Sequence, residues 1–233
     1  MELNLDKSTW KPVIFGDVVQ EVRTTIKDPK GEGIERVVGL EHIETENIHL
    51  SKWASIEEDT TFTKGFKKGH VLFGRRRAYL KKAAQAGFDG ICSGDITVME
   101  AKDDLLPELL PFLVCNDKFF DYAVKHSAGG LSPRTKFKDI ANYEFLLPPK
   151  DQQAKLAELL WAADAMVELQ KCLLQECITA KRSYFYSQLH YSSRLPLSEF
   201  AEVSYGMGQP PTISDDGIPM IRATNVKRGK ISE

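Results

Sequence analysis

The run Leu146-Leu147-Pro148-Pro149-Lys150-Asp151-Gln152-Gln153 constrains this chain most, because no further proline or glycine follows until Pro196. Proline disfavours helix in the residue before it and fits only the first helical turn, so the pair ends one element and lets another begin. Asp151 then falls at the N-cap or in the first turn, where its carboxylate can accept orphan amide hydrogens. From Gln152 to Leu189 the strong helix formers Ala, Leu, Glu, Gln, Lys and Met dominate. One helix over residues 151–189 is expected, roughly 58 Å long at about 1.5 Å per residue. Leu156, Leu160, Ala163, Val167, Gln170, Leu174 and Cys177 follow the 4-3-4-3 spacing of a coiled-coil seam, widened by Leu159, Met166, Leu169 and Leu173. A lone helix cannot bury such a stripe, so it needs a partner within the chain or from another copy. Gln170 would be the polar seam position that helps fix register. Trp161 lies off the seam and is expected to pack against the globular part or a docked protein.

Residues ahead of the proline pair read as mixed α and β. Arg36-Val37-Val38-Gly39-Leu40, His70-Val71-Leu72-Phe73 and Asp95-Ile96-Thr97-Val98-Met99 are short β-like runs bordered by glycine or charged turns. Leu105 to Ser127 reads as helical after its prolines, Ser127 to Arg134 as a loop, and Asn142 to Leu147 as a short strand. The fold class is therefore α+β: a globular mixed domain over residues 1–149, a long coiled-coil helix over 150–190, and a third segment over 191–233. That last segment echoes the first. Leu195-Pro196-Leu197 resembles Lys11-Pro12-Val13, and the stretch from Gly217 to Val226 lines up with Gly33 to Ile43. The offset is 184 positions between Pro12 and Pro196 and 183 between Ile43 and Val226, which fits the opening of a tandem copy.

A formal net charge of −2 argues against a polyanion partner only as an average. Between Thr60 and Phe88 lie Lys64, Lys67, Lys68, Arg75, Arg76, Arg77, Lys81 and Lys82 without one acid, and Lys125, His126, Arg134, Lys136 and Lys138 follow. Acids concentrate just upstream, at Glu41, Glu44, Glu46, Glu57 and Glu58. Segregated charge on a near-neutral chain is the footprint of a polyanion-binding face, against the plainer account of a solvated basic surface.

Cys92, Cys115, Cys172 and Cys177 form no C-x-x-C pair, which is the usage of reduced thiols in the cytoplasm. The N-terminus lacks a basic stretch followed by an apolar one, so no signal peptide is expected. The most apolar window, Leu105 to Val114, is short and broken by Pro107 and Pro111, so no membrane span is expected.

From Gly129 to Asp164 the chain reads GGLSPRTKFKDIANYEFLLPPKDQQAKLAELLWAAD. A polar loop, a basic-apolar segment, a short strand, an L-P-P turn, an acidic-Gln pair and a leucine-rich helix follow in that order. This resembles the junction between a target-recognition domain and the helix that follows it in Type I restriction–modification specificity subunits. Gly74 to Lys82 and Gly90 to Asp95 extend the likeness. The resemblance implies a non-catalytic subunit that reads double-stranded DNA, each recognition domain taking one half of a bipartite site. It also implies docking to methyltransferase and restriction subunits, which would hold S-adenosylmethionine, ATP and magnesium; this chain itself would bind no cofactor. With one full domain, one helix and the start of a second domain, the chain departs from the two-domain pattern. Two copies pairing their helices antiparallel would restore it and favour a palindromic site.

On this reading Arg75, Arg76 and Arg77 supply base and phosphate contacts, because Arg can grip guanine O6 and N7 bidentately. Lys64, Lys67, Lys68, Lys81 and Lys82 position the DNA backbone. Ser132 and Arg134 are base-edge readers, and Lys136 meets phosphate. Two other classes compete. One is a coiled-coil assembly module whose basic face does not read sequence. The other is a nuclease built on Asp95 and Glu100-Ala101-Lys102, but the five-residue gap puts the two acids on opposite faces of a strand. The histidines show no metal-ligand spacing, and an amino-methyltransferase would need an aromatic after Pro148-Pro149 where Lys150 stands.

Overall fold

Two neighbouring strands buried on both faces set the architecture, and the elements are these in chain order. They are β1 (Lys11–Ile14), α1 (Phe15–Val18), β2 (Val19–Glu21), β3 (Arg36–Val38), β4 (Ala54–Ser55), β5 (Lys64–Phe66), β6 (Val71–Gly74), β7 (Ala83–Gln85), β8 (Gly90–Cys92) and β9 (Ile96–Ala101). After them come α2 (Leu110–Val114), α3 (Asp117–Lys125), α4 (Phe137–Ile140), β10 (Glu144–Leu147) and α5 (Lys150–Tyr191). The computed structural model describes residues 7–56 and 60–191, with isolated positions 199, 226–227 and 230–231 beyond. There β11 (Val226–Lys227) and β12 (Lys230–Ile231) pair antiparallel. Otherwise the expected tandem copy over 191–233 lies outside the described residues.

One sheet has the order β2-β9-β6-β7 and is antiparallel throughout. A second has the order β4-β3-β8-β5, with β3 and β8 parallel. β1 and β10 form a separate antiparallel ribbon, pairing Lys11 with Leu147 and Ile14 with Glu144.

β6 and β9 are buried on both faces, and the two-residue strand period sorts their side chains. Val71, Phe73 and Met99 join one core with Phe15, Phe119, Phe120 and Ile140. Leu72, Ile96 and Val98 turn the other way, into a core with Val38, Ile43 and Phe66. The sheet is thus a wall between two apolar layers, which explains why its strands read as continuous apolar runs. The expected helix over Leu105 to Ser127 divides in two: Asn116 caps α3 by accepting Lys118 N at 2.9 Å, ending α2 at Val114. A short polar side chain that bonds its own backbone competes with helix continuation.

At the proline pair the structure shows the long helix that the composition requires, with Asp151 in its first turn. Gln153 is buried one turn in. Its Oε1 accepts Leu106 N at 2.8 Å, and its Nε2 donates to Asp104 O and Pro148 O, both at 3.0 Å. Trp10 Nε1 donates to Gln152 Oε1 at 2.9 Å, and Lys150 Nζ donates to Asp103 O. The helix start is therefore bolted to the domain by satisfied polar groups, as burial of an amide demands.

Further along, Ala157 is buried in the domain core with Leu156, Leu160 and Trp161 packed beside it. Trp161 meets Phe112 edge-on at 4.9 Å and donates to Glu108 O at 3.0 Å. Leu156 and Leu160, the first two seam positions, thus find their partner within the chain. Ala163, Val167, Gln170, Leu174 and Cys177 are exposed, as are Met166, Leu169 and Leu173. Compact units run over Met1–Leu173 and Leu174–Glu233. No described helix is long and apolar enough to cross a membrane.

Candidate nucleic-acid interface

Two segments far apart in sequence meet where β6 ends. Arg75, Arg76 and Arg77 follow the strand, and Ser132 to Thr135 lie on the loop between α3 and α4. Arg76 and Arg134 face each other in an isolated antiparallel bridge. Thr135 N donates to Arg75 O at 2.8 Å, and Arg77 N to Pro133 O at 2.8 Å. Ala128 and Arg134 exchange backbone hydrogen bonds at 3.0 and 2.9 Å, pinching off a tip. Gly129 takes a φ of 117° there, which a side chain would resist. At that tip Leu131 is 99% exposed.

Asp95, in the turn between β8 and β9, stands between the arginines. Arg134 Nε donates to its Oδ1 at 2.8 Å, and Arg76 Nη1 reaches Oδ2 at 3.4 Å. Arg76 Nε donates to Ser132 Oγ at 2.6 Å. The hydrogen bond from Arg134 holds the Asp95 carboxyl below its usual range, and the same contact raises Arg134. Arg75 donates its backbone N to Asp95 O at 3.0 Å, while its Nε is buried without a hydrogen-bond partner.

The lysines disperse. Lys64 Nζ donates to Ile96 O at 3.0 Å and pairs with Glu21 at 3.3 Å. Lys67 and Lys68 sit exposed in the turn before β6, so that strand, roughly 14 Å at about 3.4 Å per residue, separates them from the arginines. Lys81 pairs with Asp117 at 2.6 Å, a hydrogen bond that raises its pKa, and Lys82 Nζ donates to Leu40 O at 2.7 Å. Acids from distant segments thus neutralise part of a run that reads as purely basic. Lys67, Lys68, Arg77 and Lys136 remain exposed and outside every ion pair among the described residues.

The nuclease residues go to separate partners. Asp95 holds the arginines, Glu100 accepts from Gln20 at 2.7 Å, and Lys102 Nζ donates to Gly16 O at 2.6 Å. Among the described residues, His49, Asp164 and Glu168 bring metal-ligating atoms within 4.8 Å of one another. Their own contacts account for that cluster: His49 Nε2 and Asp164 Oδ2 lie at 2.6 Å, and Lys171 donates to Glu168 at 2.7 Å. The His49 contact ties α5 to the domain across 115 sequence positions, so spacing along the chain gave no sign of it. Gln153 shows in the sequence only as part of the acidic-Gln pair, since composition says nothing of its burial or of its three hydrogen bonds.

A family model for the "Type I restriction modification DNA specificity domain" matches residues 7–179. The Type I restriction enzyme EcoDI specificity subunit of Escherichia coli is 26% identical over 174 residues, covering 72% of this chain and 38% of that protein. The crystal structure of the HsdS subunit from Thermoanaerobacter tengcongensis superposes with a TM-score of 0.57 at 24% identity, over 81% of this chain and 52% of that one. The Type I restriction-modification S subunit from M. genitalium gives a TM-score of 0.55 at 13% identity, over 79% and 46%. The chain thus spans about half or less of the length of these relatives.

Proposed function

The chain belongs to the Type I restriction modification DNA specificity domain family, and from that premise we propose that it reads double-stranded DNA for a restriction–modification complex. The observation that carries this is the convergence of Arg76, Arg77, Ser132 and Arg134 at one end of β6 within the matched residues. Arginine forks beside a glycine loop suit base edges and phosphates, and the exposed Lys67, Lys68 and Lys136 suit the DNA backbone. The chain directs methyltransferase and restriction subunits to a bipartite site and performs no chemistry itself. S-adenosylmethionine, ATP and magnesium belong to those subunits, and the complex works in the cytoplasm.

In this proposal residues 1–149 are the recognition domain, 150–190 the spacer and docking helix, and 191–233 the opening of a second recognition domain. The exposed stripe from Val167 to Leu174 supports a homodimer paired through antiparallel helices. That same stripe favours the competing account, a coiled-coil assembly module without sequence reading. Salt separates the two. Phosphate-driven binding weakens steeply between about 50 and 200 mM salt, whereas an apolar protein contact does not. Replacing Arg75, Arg76 and Arg77 with alanine should abolish specific binding in a gel-shift assay. Unchanged sequence preference in that variant would refute the proposal.

A further inference from the structure

The backbone around the arginine pair is held without the Asp95 side chain. The bonds from Thr135 to Arg75, from Arg77 to Pro133, and between Ala128 and Arg134 join the two segments. Thr135 Oγ1 adds a bond to Ala123 O at 3.0 Å from within the core. This lattice leaves open where the two guanidinium groups point. Arg76 and Arg134 stand opposite each other, an arrangement in which like charges repel. Asp95 bridges them, and Ser132 fixes Arg76 a second time. Among the described residues the Arg134 side chain donates only through Nε, which leaves its terminal nitrogens available to other acceptors. Both arginine side chains keep 41% and 45% exposure, while that of Asp95 keeps 21%.

Resting on the reading that this face meets DNA, we propose that Asp95 is a positioning residue for base readout, fixing Arg76 and Arg134 as a paired fork without touching the duplex itself. A guanidinium separates guanine from other bases only when two donors reach O6 and N7 together. Held loosely, the same group is a sequence-blind cation on phosphate. A carboxylate on a DNA-facing surface costs affinity through repulsion, so its place there is explained by what it does to the arginines. The two accounts differ in sign. If Asp95 served only as a neutralising or structural acid, removing its charge would tighten binding to all duplexes alike. As a positioning residue, its removal degrades discrimination while non-specific binding holds or rises.

The test uses the chain assembled with its methyltransferase subunits and the duplex that this complex selects from a random library. Binding of that duplex and its single-base variants is compared for wild type and Asp95→Asn across a salt series. At the guanine positions that Arg76→Ala or Arg134→Ala affects, discrimination should fall about tenfold, with the salt slope unchanged or steeper. Melting at neutral pH should fall by no more than a few degrees, because the backbone lattice remains even though the stability from the Asp95 ion pairs is lost. Discrimination within about twofold of wild type at every position overturns the proposal. Should Asp95→Asn fail to fold, Ser132→Ala frees one end of Arg76 from a surface loop and should lower discrimination at the Arg76 positions; no change there overturns it too. If Arg76→Ala with Arg134→Ala erases discrimination and Asp95→Asn spares it, the positioning role fails and DNA reading stands. If the wild-type complex selects no sequence, both fail.

Discussion

Arg77 shows at residue scale how conformation and exposure together mark a site. Its φ of 55° lies in the left-handed region, which costs a non-glycine residue about 1 kcal/mol, yet its side chain is exposed and stabilises no core. Arg77→Gly relieves that strain but enlarges the freedom of the unfolded chain by about 0.5–1 kcal/mol, so the two effects nearly cancel. Its melting temperature should match wild type within a few degrees, while DNA binding weakens and the salt slope falls by about 1. A lower melting point with unchanged binding would assign Arg77 to the fold instead. The thiols divide by burial in the same way. Desolvation pushes Cys92 and Cys115 up to about 12, whereas Cys172 and Cys177 are exposed on α5. Since thiolate is the nucleophile, a disulfide reagent at neutral pH should titrate two thiols quickly and the other two only on unfolding. Four fast thiols in the native protein would contradict the burial of Cys92 in β8 and the hydrogen bond from Cys115 Sγ to Ala83 O at 3.4 Å.

At the scale of elements, α5 is docked by polar bonds at its start, by apolar packing at Leu156, Ala157, Leu160 and Trp161, and by the His49–Asp164 contact beyond. Gln153→Ala strands Leu106 N and two carbonyls, and should cost about 1–3 kcal/mol in denaturant unfolding. A loss below a few tenths would mean water replaces the amide. The stripe past Val167 behaves oppositely, because burying nothing within the described residues makes it cheap to change. Leu169→Glu with Leu173→Glu should leave the folding of the recognition domain intact and shift solution mass from dimer to monomer. A monomeric wild type would remove the homodimer from the proposal and leave the helix for another subunit.

For the whole molecule, the proposed spacer role predicts a length. Inserting one heptad in α5 would move the reading heads apart by roughly 10 Å, or about three base pairs. Methylome sequencing that returned an unchanged site spacing would end the ruler idea. Charge pairing sets a pH limit as well. The carboxyls of Asp95, Glu44 and Glu168 are held low by hydrogen bonds from Arg134, Lys52 and Lys171 respectively. A depressed folded-state pKa contributes stability above the unfolded value, near 4, and that stability is lost as pH falls through the folded value. Melting should therefore drop below about pH 4, and less steeply in Asp95→Asn.

The local grammar of this chain was legible without coordinates. Pro148-Pro149 and the glycine-free run determined the helix; short β-like runs bordered by glycine or charged turns determined β6 and β9; Gly129, Gly130 and Pro133 determined the loop. Those signals are local because backbone sterics and propensity act within a few residues. The motif around the proline pair determined the family as well. Tertiary structure alone decided which charges survive as a surface. Lys64 and Lys81 look free in a run without acids, yet Glu21 and Asp117 arrive from distant segments to pair with them. It likewise decided that Leu156 and Leu160 face their own domain, and that Asp95, set aside as part of a nuclease pattern, sits between two arginines from well-separated segments. Coulomb and packing energies fall off with distance in space, and only the fold turns separation along the chain into separation in space.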